Sequence, residues 1–188
     1  EASFYLGLVA LRQEQWPAAA HAFERYVTQQ HTSRPAVFVN LAYAYEQMGE
    51  MDRARAAMAD ALSHGGRGDP LVQTNAAAMA VAARDYETAD AALASARTLW
   101  GTRRPPPVWF HYAGLAAAMV NDLDRAIALL SEAVQVYPSY AVLWNNLAVA
   151  YEARGDFDDA LRTLERGLIE DSTLPQLHRN FADSLQPD

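Results

Sequence analysis

Apolar residues recur along the chain at helical spacing, in amphipathic segments of about a dozen residues that come in pairs. The pairs repeat. Ala19, Ala54, Ala89, Ala126 and Ala160 stand 35, 35, 37 and 34 residues apart. Four positions after each lies a larger apolar residue: Phe23, Met58, Leu93, Leu130 and Leu164. Three before each lie Trp16, Met51, Tyr86, Leu123 and Phe157, and twelve before each a very small residue: Gly7, Ala42, Ala77, Gly114 and Ala148. Self-similarity of this period is the mark of stacked supersecondary units.

The pattern predicts first helices near 2–13, 35–48, 70–83, 107–120 and 141–153, and second helices near 17–29, 51–63, 86–99, 123–136 and 157–170. Pro35, Pro70, Pro107 and Pro175 suit the first turn of a helix, where the missing N–H is harmless. An eleventh helix over 175–185 would cap the last unit with Phe181, Ala182 and Leu185. Within a unit, the small residue of the first helix should face the landmark Ala of the second, so that the axes approach closely. The aromatic or Met at the turn should plug the hairpin's open end. No unit buries its apolar faces alone, so neighbours must stack. The connectors Gly65–Asp69 and Gly101–Pro107 are longer than the period requires and read as surface loops, with flexing at one of these joints left open.

The runs Asn40-Leu41-Ala42-Tyr43-Ala44-Tyr45 and Asn146-Leu147-Ala148-Val149-Ala150-Tyr151, the turns Gly49-Glu50-Met51 and Gly155-Asp156-Phe157, and the closing Tyr137-Pro138 resemble the tetratricopeptide repeat family. Trp144, Phe38 and Phe110 stand at that family's aromatic first-helix position. The resemblance covers essentially the whole chain. It implies an all-α, right-handed superhelical solenoid of five repeats (1–34, 35–69, 70–106, 107–140, 141–174) plus a capping helix at 175–185, as a single array over 1–188. Repeat one lacks its start and repeat three is degenerate.

Such a stack lines its concave side with first helices. The partner-binding groove expected there comprises Tyr5, Leu8, Asn40, Tyr43, Asn75, His111, Tyr112, Leu115, Asn145, Asn146, Val149, Arg179 and Asn180. One column in it, directly before the small residue and its predecessor, runs Tyr5, Asn40, Asn75, Tyr112, Asn146 and Asn180. A carboxamide donates and accepts, so it can pair with both polar groups of an extended peptide backbone. Similar asparagine rows line peptide grooves in tetratricopeptide proteins, including the glycosyltransferase that attaches N-acetylglucosamine to Ser and Thr. Asn is also frequent there in repeats without a peptide ligand, and helix ends, convex faces and loops bind partners too. The family's carboxylate clamp, which needs Lys and Arg, is disfavoured: those places hold Phe4, Leu71 and Asn75. The groove's sparse charges are Glu46, Glu152 and Asp183 against Arg12 and Arg179, and its apolar lining suits an apolar ligand.

Composition narrows the chemistry further. With no Cys there is no disulfide, thiolate site or thiol nucleophile, and with no Lys there is no Walker loop or Schiff base. A net charge of −8 argues against nucleic acid, and no apolar run reaches membrane-span length. The histidines at 21, 31, 64, 111 and 178 form no ligand-spaced pair, so neither a metal nor a cofactor is expected. Arg67-Gly68-Asp69 spells an integrin-binding tripeptide but reads as a turn. Asp158-Asp159 suits a helix start, and no nucleophile–base–orienter set can be assembled. The chain opens on Glu1, so the lack of a secretory leader carries no information. Its Ala- and Arg-rich composition points to a GC-rich bacterial genome. The expectation is a non-enzymatic scaffold that binds a protein or peptide partner. Its alternatives are a structural subunit of a larger assembly, such as a bacterial envelope or secretion complex, and the targeting domain of a longer enzyme.

Overall fold

The protein is described here by a computed structural model, which covers residues 1–30 and 34–185; His31 lies outside them. Among the described residues every regular element is helical. The order is α1 (Ala2–Arg12), α2 (Trp16–Gln30), α3 (Pro35–Gln47), α4 (Met51–Ser63), a 3-10 turn (Gly66–Gly68), α5 (Pro70–Ala82), α6 (Tyr86–Trp100), α7 (Pro107–Met119), α8 (Leu123–Val136), α9 (Ala141–Arg154), α10 (Phe157–Glu170) and α11 (Pro175–Ser184). Each lies within about two residues of its predicted bounds.

Two compact units share these helices: Glu1–Met79 with Ser95–Leu99, and Ala80–Ala94 with the chain from Trp100 on. In the first, α1 packs on α2, α2 on α3, and α3 on α4. In the second, α7 packs on α8, α8 on α9, α9 on α10 and α10 on α11.

The hairpin turns share one geometry. Glu14, Gly49, Arg84, Asn121 and Gly155 all have positive φ, from 56° to 91°. At each, that residue's N–H donates three residues back and the next N–H donates five back, as in Gly155 to Glu152 (2.9 Å) and Asp156 to Tyr151 (3.0 Å). This is the Schellman closure, which satisfies carbonyls that a helix end leaves orphaned. The residue after the left-handed one starts the next helix; Asp122, for example, accepts from Arg125 N–H.

The landmark alanines are all buried, at 0 to 1% exposure. A Cβ on Gly7 would fall 2.6 Å from the Phe23 ring, and one on Gly114 would fall 2.6 Å from Leu130 Cγ. The large residue four positions on fills the space that the missing side chain leaves, which is how close-packed interiors avoid voids. The connector at 65–69 is also tighter than a surface loop. Gly66 is buried, and a Cβ there would sit 2.5 Å from the Ala61 carbonyl. Asp69 then caps α5 by accepting from Leu71 N–H at 2.8 Å, so the tripeptide at 67–69 is helix-start architecture.

The terminal helix is anchored by a residue outside the packing columns named above. Leu177 is fully buried, whereas Phe181 is half-buried and Ala182 and Leu185 are exposed. Leu177 continues a column five before the small residue, with Val37, Val72, Trp109 and Leu143, all buried. Gly167 of α10 makes room for it: a Cβ there would crowd Trp144 (2.7 Å) and Leu177 (3.2 Å).

Candidate partner-binding face

In the second unit the first helices α7, α9 and α11 pack side by side. Periodicity carries one face of each to the same side, and two hydrogen bonds tie those faces together. Asn146 Nδ2 on α9 pairs with His111 Nδ1 on α7 at 2.7 Å. Asn180 Nδ2 on α11 donates to Asn145 Oδ1 on α9 at 2.9 Å. Both pairs span 35 residues. The column Asn of one hairpin therefore bonds the residue just before the column position of the preceding hairpin. A third link lies a turn further on, where Ser184 Oγ donates to Glu152 Oε1 at 3.2 Å.

These bonds orient the amides. Each donating Nδ2 uses one N–H on its neighbour, while its Oδ1 and second N–H lie outside that bond. Because His111 accepts at Nδ1, its neutral ring carries the proton on Nε2. Burial pushes its pKa below the ordinary histidine value. Tyr112, edge-on to His111 at 4.7 Å, interrupts the amides. Beside them Leu115 is half-buried, and Val149 and Arg179 are exposed. Phe157 is 69% exposed, so it does not plug its hairpin. In the first unit the equivalent Trp16 packs edge-on against Tyr43 at 5.7 Å. The residue that stands in Tyr43's register beside Phe157 is Asp183, which offers no apolar cover.

The first unit carries the remaining residues expected in the groove. Tyr5 is exposed with its ring edge-on to Phe4, Tyr43 and Asn75 are exposed, and Leu8 and Asn40 are half-buried. None of the thirteen is buried outright. Sequence reasoning missed the exposure of Phe157, the bond of Ser184 to Glu152, and the pairing itself. The signal for the pairing was present, because His111 and Asn145 both immediately precede the column.

Histidines elsewhere serve local packing: His64 stacks on Phe38 at 4.7 Å and His178 pairs with the Ser172 carbonyl. Among the described residues no helix is long and apolar enough to cross a membrane.

Two models of the tetratricopeptide repeat match the chain, one over residues 4–70 and the other over 117–179. The chain belongs to the tetratricopeptide repeat family. Its members are as a rule non-catalytic scaffolds for protein–protein interaction. A curated tetratricopeptide repeat domain-containing protein, PYG7 of Arabidopsis thaliana chloroplasts, is 36% identical over 58 residues; the match spans 31% of this chain and 19% of that protein. Among solved structures, the thermophilic tetratricopeptide protein TTC0263 of Thermus thermophilus superimposes with a TM-score of 0.77 at 20% identity, covering 98% of this chain and 97% of that one. PilW, a type IV pilus biogenesis factor, superimposes with a TM-score of 0.86 at 16% identity, covering 98% and 84%. At these identities the likeness is one of fold.

Proposed function

We propose that this tetratricopeptide protein binds an extended peptide segment of a protein partner on its first-helix faces. The observation that carries this reading is the pair of 35-residue bonds, Asn146 to His111 and Asn180 to Asn145. They hold carboxamides on adjacent helices at fixed orientation, which lowers the ordering cost of pairing them with a peptide backbone. Such pairing is independent of the ligand's sequence, while Leu115, Val149, Phe157 and Tyr112 favour apolar side chains. Arg179 stands at the α11 edge. In the first unit, Tyr5, Leu8, Asn40, Tyr43 and Asn75 are the corresponding contacts. The reading needs no catalytic residue and no cofactor.

The test is selection of unstructured peptides from a phage-displayed library on the immobilised chain, followed by anisotropy titration of the selected sequences. The triple variant Asn145→Ala/Asn146→Ala/Asn180→Ala should weaken binding at least tenfold with an unchanged circular dichroism spectrum. Undiminished binding by a folded triple variant removes the amide face from the mechanism. A chain that is isolated only within an obligate complex would favour the assembly-subunit reading instead.

A further inference from the structure

The bonded amides of the second unit recur with its hairpins, so a ligand that meets each of them alike must recur at the same interval. Asn146 reaches His111 on α7 and Asn180 reaches Asn145 on α9, and these first helices pack directly side by side. The axes of packed helices lie about 8–10 Å apart. A β-strand turns the same side to its partner at every second residue, about 7 Å on; at the third residue, about 10 Å on, it shows the opposite side. A polyproline II helix shows the same side at every third residue, about 9 Å on. Of the two, only the polyproline II period brings equivalent backbone groups to successive first helices.

On the peptide-binding reading of this face, we infer that the segment bound there is proline-rich and in the polyproline II conformation, with a non-proline residue at every third position facing the amides. Asn146 Oδ1 and the second N–H of its Nδ2 lie outside the His111 bond, and the same groups of Asn180 lie outside the Asn145 bond. Each amide therefore offers an acceptor and a donor to the residue that faces it. The residues between point away from the amides and need no N–H, so proline fits there. Proline also lowers the ordering cost, because the free segment already favours the bound conformation.

On α7 the column changes from amide to ring. Tyr112 stands there half-buried and edge-on to His111, and its ring gives a ligand proline an aromatic surface. Leu115 and Val149 stand about one turn further along α7 and α9, half-buried and exposed in turn, within reach of the same segment. Charge stays at the margins of the amide row. Exposed Arg179 precedes the amide of α11, and Asp183 and Glu152 follow the amides by about one to two turns. An uncharged segment crosses the row between them without desolvating an ion.

The probe is a fluorescein-labelled synthetic peptide built from Pro-Pro-Ala triplets, titrated with the intact chain and read by anisotropy. Saturable binding is expected, about tenfold tighter than that of a peptide of the same composition whose alanines fall at irregular spacing. Asn146→Ala/Asn180→Ala should weaken binding of the regular peptide by a similar factor, and Tyr112→Ala should weaken it as well, both with unchanged circular dichroism spectra. Equal binding of the regular and irregular peptides, or no saturation by the regular one, overturns the proposal. Undiminished binding by the folded double variant also overturns it, since the segment would then sit elsewhere. If proline-free peptides selected from the library bind, and lose affinity in the triple Asn variant while the regular peptide fails, the ligand class is wrong and the peptide-binding reading stands.

Discussion

Asn146 Nδ2 and His111 Nδ1 lie 2.7 Å apart across two neighbouring first helices. The imidazole accepts this bond only while Nδ1 is unprotonated, so the contact couples the face to pH.

Burial lowers the His111 pKa in the folded chain, so the unfolded state binds the extra proton first. The stability held by the neutral ring is complete above the unfolded value of about 6.5. It is lost as pH falls below that value toward the lowered folded pKa. Thermal unfolding of the native chain should therefore fall more steeply between about pH 7 and pH 5 than that of His111→Gln. Parallel curves for the two proteins would show that His111 does not titrate differently on folding.

Left-handed backbone at Glu14 and Arg84 strains residues with a Cβ, whereas Gly49 and Gly155 hold the same place without strain. Glu14→Gly and Arg84→Gly should each raise stability by up to about 1 kcal/mol, the relief exceeding the entropy that Gly loses on folding. Urea titration followed by circular dichroism reads the change, and a lower midpoint in both variants contradicts it.

Gly114→Ala places a methyl group 2.6 Å from Leu130 Cγ, and Leu130 is 1% exposed and has no room to yield. Better helix propensity offsets part of the clash. A net loss of about 1–2 kcal/mol is expected. Pairing it with Leu130→Ala should cost less than the sum of the two single changes, as a double-mutant cycle would measure.

Leu177 holds the terminal helix through one fully buried side chain. Leu177→Ala should cost about 2–5 kcal/mol locally. Amide hydrogen exchange should accelerate across α11 and on the α10 turn around Gly167, while α7 and α8 keep their protection. Uniform acceleration through the second unit would mean that α11 does not detach separately.

The repeat was legible because burial forces the same residue types onto the same register in each copy: Ala19 to Ala160, Phe23 to Leu164. Helix bounds followed from that register and from Pro35, Pro107 and Pro175, which suit a helix's first turn. The turn was half legible. Gly49 and Gly155 announced it, but Glu14, Arg84 and Asn121 take the same positive φ without a glycine to signal it. The candidate site was legible as a column of amides and not as a set of bonds.

By itself, then, the sequence determined the family, the all-helical class and the hairpin register, since each rests on local periodicity and on residue size. Tertiary structure alone decided what each small residue makes room for, as with Gly7 under Phe23 and Gly167 under Leu177. It also decided which amide reaches which neighbour, and which apolar side chains are left uncovered, Phe157 among them. Those outcomes depend on the facing helix, whose position no single helix's periodicity encodes.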